Sequence, residues 1–191
     1  MNKTDYHIPL YKDKIYHIYN RGNGSENIFY QHENYIYFLN QYYKFTKNIL
    51  DTFAFCLLPN HFHIMARIRI DSPEMISETF RKFFISYSMS INKQQERKGS
   101  LFQRGFKRKL IDDENYFYAA VYYIHSNPVH HSIVKQIDSY KYSSYNILIG
   151  EKETKLQRQE IFDWFNGKDN FIEYHRKERN KVFDDSFIIE D

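Results

Sequence analysis

Cysteine is nearly absent from this chain. The one thiol, Cys56, sits in the apolar run 53–58 of a 191-residue sequence. That excludes a disulfide scaffold and a cysteine-rich zinc site, and it suits a reducing compartment. Long apolar runs are also missing: none approaches the ~18 residues of a membrane span. The opening stretch MNKTDYHIPL lacks the apolar core of a signal segment. A cytoplasmic protein without membrane contact is expected. Net charge is small, +3 from 27 basic and 24 acidic side chains, so bulk charge points to no partner. Internal repeats, low-complexity linkers and nucleotide-cofactor motifs are absent too. The length suits one domain with a real core. Its expected bounds are 1–150, followed by a C-terminal helical extension over 151–191 that ends in the acidic tail DDSFIIED.

The charges that are present are unevenly placed. Residues 93–109 hold seven basic side chains (Lys93, Arg97, Lys98, Arg104, Lys107, Arg108, Lys109) against one acid, Glu96, with Phe102 and Phe106 between them. Such a run can be a solvated face. Interleaved aromatics also make it a site for single-stranded nucleic acid, where bases stack on rings and cations meet phosphates. Aromatics make up 19% of the chain, with 18 tyrosines, so most of them must be packing.

Apolar periodicity gives the elements. "KIYHIYNRGN" reads as a strand ending in a glycine loop, and 33–47 as a helix on Tyr35, Phe38, Leu39 and Tyr42. A hairpin over 53–70 turns at Pro59-Asn60. Ser72 and Pro73 then start a helix buried through Ile76, Phe80, Phe83, Phe84, Tyr87 and Ile91. A strand broken by Gly105 follows, and Asp112 is the expected cap of a helix over 114–126, stopped by Pro128. Amphipathic helices are expected near 161–165 and 171–174. Strand-helix-strand-strand-helix-strand is the order of a ferredoxin-like α+β sandwich: an antiparallel sheet with helices on one face.

Two places in this layout carry polar groups in an unusual pattern. In "LLPNHFHIMARIRI", strand alternation puts Phe62, Ile64, Ala66, Ile68 and Ile70 on one face. His61, His63, Met65, Arg67 and Arg69 share the other, a basic face expected to stay open. In "ENYFYAAVYYIHSNPV", Phe117, Ala120, Val121 and Ile124 form a core stripe. Tyr116, Tyr123 and Asn127 form a second stripe about 100° around the helix. Tyr122 points about 100° away from Tyr123 and cannot share a site with Asn127. Tyr116 reads as a wall or as packing, and Cys56 as core.

These segments resemble a known family. "PNHFHIM" resembles the His-hydrophobic-His (HUH) motif of small single-tyrosine transposases, and "YIHSNPV" the tyrosine helix of their REP-associated relatives. "YNRGN", "GSLFQRGFK" and "YKYSSYNILIG" match that group in the same order, so the resemblance covers about residues 16–150. It implies a ferredoxin-like fold with His61 and His63 binding one divalent metal, Mg²⁺ or Mn²⁺, and Tyr123 as nucleophile. Asn127 falls where the family places a third polar ligand, a position often held by glutamine. Two imidazoles lean towards Mn²⁺. The implied activity is cleavage and rejoining of single-stranded hairpin DNA through a 5′-phosphotyrosine, by a monomer rather than a homodimer. Arg21, Asn23, Arg67, Arg104, Lys107 and Arg108 are the candidate DNA contacts, although Arg21 and Asn23 could equally make a turn. The alternative reading is a domesticated hairpin-binding protein that does not cut. A zinc hydrolase on the same histidines lacks a nearby Glu or Asp to act as base.

Overall fold

Alternating apolar residues build the sheet, and helical stripes cover it. The computed structural model describes residues 8–178. β1 (Ile15–Arg21), α1 (His32–Thr46), β2 (Leu50–Leu58), β3 (His61–Ile68), α2 (Pro73–Gln94) and β4 (Lys107–Ile111) follow in the expected order. The strands form one sheet in the order β2-β3-β1-β4, antiparallel throughout. β1 and β3 are therefore its central strands. Pro59 and Asn60 turn β2 into β3. Ser72 caps α2 by accepting from the Met75 N–H, with Pro73 at the first position.

On one face, Tyr16 and Ile18 of β1 and Phe62, Ile64, Ala66 and Ile68 of β3 are fully buried against α1 and α2. Phe38 of α1 packs edge-on against Phe83 and Tyr87 of α2. Each such side chain contributes about 1.5–3 kcal/mol by leaving water, so this layer anchors the domain.

The α+β class holds, but the helices are not confined to one face. α3 (Glu114–His130), α4 (Tyr145–Ile149), α5 (Arg158–Trp164) and α6 (Lys168–Lys177) cover the second face, which the sequence pattern left open. Phe117, Val121 and Ile124 bury against Phe53, Ala54, Cys56, Met65 and Ile111 of the strands, and Ile161, Phe165 and Phe171 close the layer. β2 carried the signal for this. Its run 53–58 is apolar on both faces and buried throughout, the mark of a strand sandwiched between layers. The acidic tail lies outside the described residues.

Two local expectations for α3 also change. Its N-cap is Asp113, whose carboxylate accepts from the Tyr116 N–H, not Asp112. The helix runs through Pro128 to His130. A proline this near the end removes one hydrogen bond of the last turn, and the Ile133 and Val134 N–H groups fold back onto the Pro128 carbonyl.

A buried polar chain fastens the second layer. The His175 Nδ1–H donates to the Phe171 carbonyl at 2.8 Å, which leaves its Nε2 to accept from His125 Nδ1–H at 2.9 Å. His125 Nε2 then accepts from the Ser144 hydroxyl at 2.7 Å, and Ser144 Oγ accepts from the Phe55 N–H at 2.9 Å. One arrangement of protons satisfies every member, and it links β2, α3, α6 and the start of α4.

Candidate catalytic and metal site

Strand register decides which side chains meet under α3. Antiparallel partners project to the same side of a sheet. Tyr19 pairs with His63, Arg21 with His61, and His17 with Met65. Across the other edge of β1, Tyr19 pairs with Lys107 and His17 with Lys109. The second face thus carries His61, His63, His17, Tyr19, Arg21, Lys107 and Lys109 in adjoining rows. α3 lies over them and brings Tyr123 and Asn127.

His61 and His63 are not on an exposed basic face: they are only 8% and 3% accessible. His61 Nδ1 faces Asn60 Oδ1 at 2.7 Å, and its Nε2 faces Asn127 Oδ1 at 3.2 Å. Asn127 Nδ2 donates to the Tyr123 carbonyl, which turns its oxygen towards the histidine. With Nδ1–H given to Asn60, the His61 Nε2 lone pair and the Asn127 oxygen confront one another as two acceptors. Two donors on one cation at about 2.1 Å and at right angles would sit about 3 Å apart, so the pair fits a shared ion. His63 Nδ1 lies 2.9 Å from His17 Nε2, while its Nε2 is buried without a hydrogen-bond partner. An orphaned ring nitrogen beside His61, at 5.1 Å between ring centroids, is a third donor. Among the described residues no group of three or more His, Cys, Asp or Glu is arranged for a metal. Two imidazole nitrogens and an amide oxygen are the groups here that could hold a cation.

Burial sets the protonation of this cluster. It holds His63 well below the usual imidazole range, aided by the charges of His17, His61 and His131. It pushes His17 down to about 3, with Lys109 adding repulsion. Neutral imidazoles are the form that can donate lone pairs.

Tyr123 stands edge-on to both rings, its centroid 5.5 Å from His63 and 5.9 Å from His17. It is 5% accessible, so it belongs to the buried layer rather than beside it. It still lines a small cleft together with His61, His63, Tyr19, Arg21 and Lys107. Tyr122 turns away to α6, against Tyr174 and His175. Tyr116 carries the Lys109 ammonium over its ring at 4.5 Å.

The candidate DNA contacts separate into two groups. Arg21 and Lys107 line the cleft, and Arg104 is exposed on the loop beside it. Asn23 is in a tight turn, its N–H donating to the Leu101 carbonyl. That turn requires glycine at Gly22, where a Cβ would lie 1.9 Å from the Glu26 carbonyl oxygen. Arg67 is a correction: Asp51 and Glu160 hold its guanidinium at 2.8 and 2.5 Å, so its charge is spent inside the protein. Arg108 is another. It sits on the opposite face of β4, pairs with Ile18, and donates to the Ile8 carbonyl at 2.6 Å. A shift of one residue along a strand changes face, and Lys109 takes the place expected of Arg108.

Three site residues escaped the sequence reading. His17 was legible in the alternation of "IYHIY", which groups it with Tyr19. His130 and His131 were hidden by ending the helix at Pro128. Continued one more turn, α3 puts His130 seven residues after Tyr123, at 6.4 Å between rings. His131 stacks edge-on to His61 at 4.8 Å.

Fold and site together define an α+β protein with a paired-histidine strand facing a tyrosine helix. No family model matches the chain. A curated protein of Haemophilus influenzae named REP-associated tyrosine transposase is 28% identical over 104 residues, which cover 50% of this chain and 59% of that protein. The match therefore spans less than two thirds of that relative. A solved structure described as a REP-associated tyrosine transposase bound to a REP hairpin aligns with a TM-score of 0.64. It is 18% identical, and the alignment covers 76% of this chain and 84% of that one; it supports the fold. The chain is thus similar to one REP-associated tyrosine transposase in sequence over about half its length, and to another in fold.

Proposed function

We propose that the protein cleaves and rejoins single-stranded DNA next to a hairpin, with Tyr123 as nucleophile. One observation carries this reading: Tyr123 of α3 lines one cleft with His61 and His63 of β3, and Asn127, one turn along α3, reaches the same His61 at 3.2 Å. The hairpin-bound neighbour and the name of the sequence relative support the substrate class.

His61, His63 and Asn127 would hold a divalent cation, Mn²⁺ or Mg²⁺. Such an ion would supply positive charge to neutralise and orient the phosphate. Arg21 and Lys107 at the cleft wall add positive charge for the phosphodiester, and Arg104 extends it outward. The Tyr123 oxygen bonds to phosphorus as the bond to the 3′-oxygen breaks. The phenol loses its proton and the 3′-oxygen gains one, giving a 5′-phosphotyrosine and a free 3′-OH. Because the ester keeps the phosphodiester energy, joining to another 3′-OH needs no nucleotide.

The test is incubation of the protein with a DNA hairpin bearing single-stranded flanks and Mn²⁺, followed by a denaturing gel. A covalent adduct is expected with the wild type, and none with Tyr123→Phe. Hairpin binding without any adduct would transfer the case to a protein that binds but does not cut.

A further inference from the structure

We infer that His17 is a positioning residue that fixes the tautomer of His63, so that the buried Nε2 of His63 carries a lone pair for a cation. The inference rests on the reading of His61, His63 and Asn127 as ligands.

The 2.9 Å contact between His17 Nε2 and His63 Nδ1 contains one proton when both rings are neutral. If it sits on His63 Nδ1, then His63 Nε2 has a lone pair. If it sits on His17 Nε2, then His63 accepts at Nδ1 and must carry its own proton on Nε2. That N–H would be buried without a hydrogen bond of normal geometry, with the Asn127 side chain as a polar neighbour, and burying it so is costly. The first arrangement avoids this cost and yields a ligand.

His61 is held in the same way. Its outer nitrogen meets Asn60 Oδ1 at 2.7 Å. Histidine ligands commonly give the outer N–H to a carboxylate, a carbonyl or water. Here both acceptors are neutral side chains, an imidazole and an amide. A carboxylate in either place would put negative charge beside a phosphodiester; an imidazole orients the ligand without doing so. His17 itself is 1% accessible, is flanked by Met65 and Lys109 on the neighbouring strands, and does not line the cleft. It acts through His63.

The experiment reads the ring nitrogens of metal-free protein by two-bond ¹⁵N–¹H correlation and Mn²⁺ affinity by calorimetry. The wild type is expected to show His63 protonated on Nδ1. His17→Phe keeps a neutral buried ring but removes the acceptor. It should lose that tautomer and weaken Mn²⁺ binding by about 10–100-fold. His17→Gln places a carbonyl oxygen near the lost Nε2 and should restore most of both. His63 found protonated on Nε2 in the wild type would overturn the inference, and this readout needs no variant to fold. Unchanged Mn²⁺ affinity in folded His17→Phe would overturn the role of His17 alone. A wild type that binds no Mn²⁺ would remove the ligand assignment beneath it.

Discussion

Replacing Ser144 with alanine should destabilise the protein far more than the loss of one oxygen suggests. Ser144 is fully buried and serves two partners: its oxygen accepts from the Phe55 N–H, and its hydroxyl donates to His125 Nε2. Alanine leaves a strand N–H and an imidazole nitrogen without partners inside the second layer. Each orphan costs about 1–3 kcal/mol, so the variant should lose about 2–6 kcal/mol. For a chain of this size, each kcal/mol lowers Tm by about 2–4 °C, giving a fall of roughly 4–24 °C. Urea denaturation should show a lower midpoint with an unchanged slope, because no surface is newly exposed in the native state. Amide exchange at Phe55 and side-chain ¹⁵N shifts at His175 should both change, as one chain joins them. A loss below about 0.5 kcal/mol, within the range of an inert surface substitution, would mean that the Ser144–His125–His175 chain does not hold the layer.

Acid should loosen the same layer. Burial pushes His175 down to about 4, so between that value and its unfolded value near ~6.5 the unfolded chain binds more protons. Stability is then complete above about pH 6.5 and falls by up to about 3 kcal/mol as pH drops to about 4; a flat melting profile across that window would refute it. Among the cations, Arg104→Gln and Lys107→Gln should each flatten the salt dependence of single-strand binding by about one unit of slope. Arg67→Gln and Arg108→Gln should leave the slope unchanged, because both are bonded within the protein. Equal slopes for all four would undo that division. Tyr122→Phe should form the covalent adduct normally, and a phosphotyrosine mapped by mass spectrometry to residue 122 would reverse the nucleophile assignment.

The α+β order was readable because each element keeps its own period. "HFHIMARI" alternates and "FRKFFISYSMSI" repeats at helical spacing. The histidine pair and the Tyr123–Asn127 stripe were readable for the same reason. The layer over the second face was harder to see. A strand buried on both sides shows no alternation, so the continuous apolar run 53–58 gave no direction. Arg67 looked like a DNA contact because alternation reports a face and not what covers it. Glu160, which neutralises it, lies 93 residues away in sequence. Arg108 was misplaced because the strand begins only at Lys107, after the turn at Gly105, and the start sets which residues point where. Pro128 reads in sequence as a helix stop, yet this near the end of α3 its missing N–H removes little.

The fastening of α3 bears on motion. The helix that carries Tyr123 lies against the sheet through Phe117, Val121 and Ile124, and α6 and Ser144 grip it through His125. A tyrosine held this way is fixed against the sheet. If it joins strands, it does so as a fixed post: the DNA ends must be carried to the tyrosine one after the other. Whatever sets the pace of exchange would then belong to the nucleic acid, as hairpins form, slide and release, and not to a swing of the protein arm.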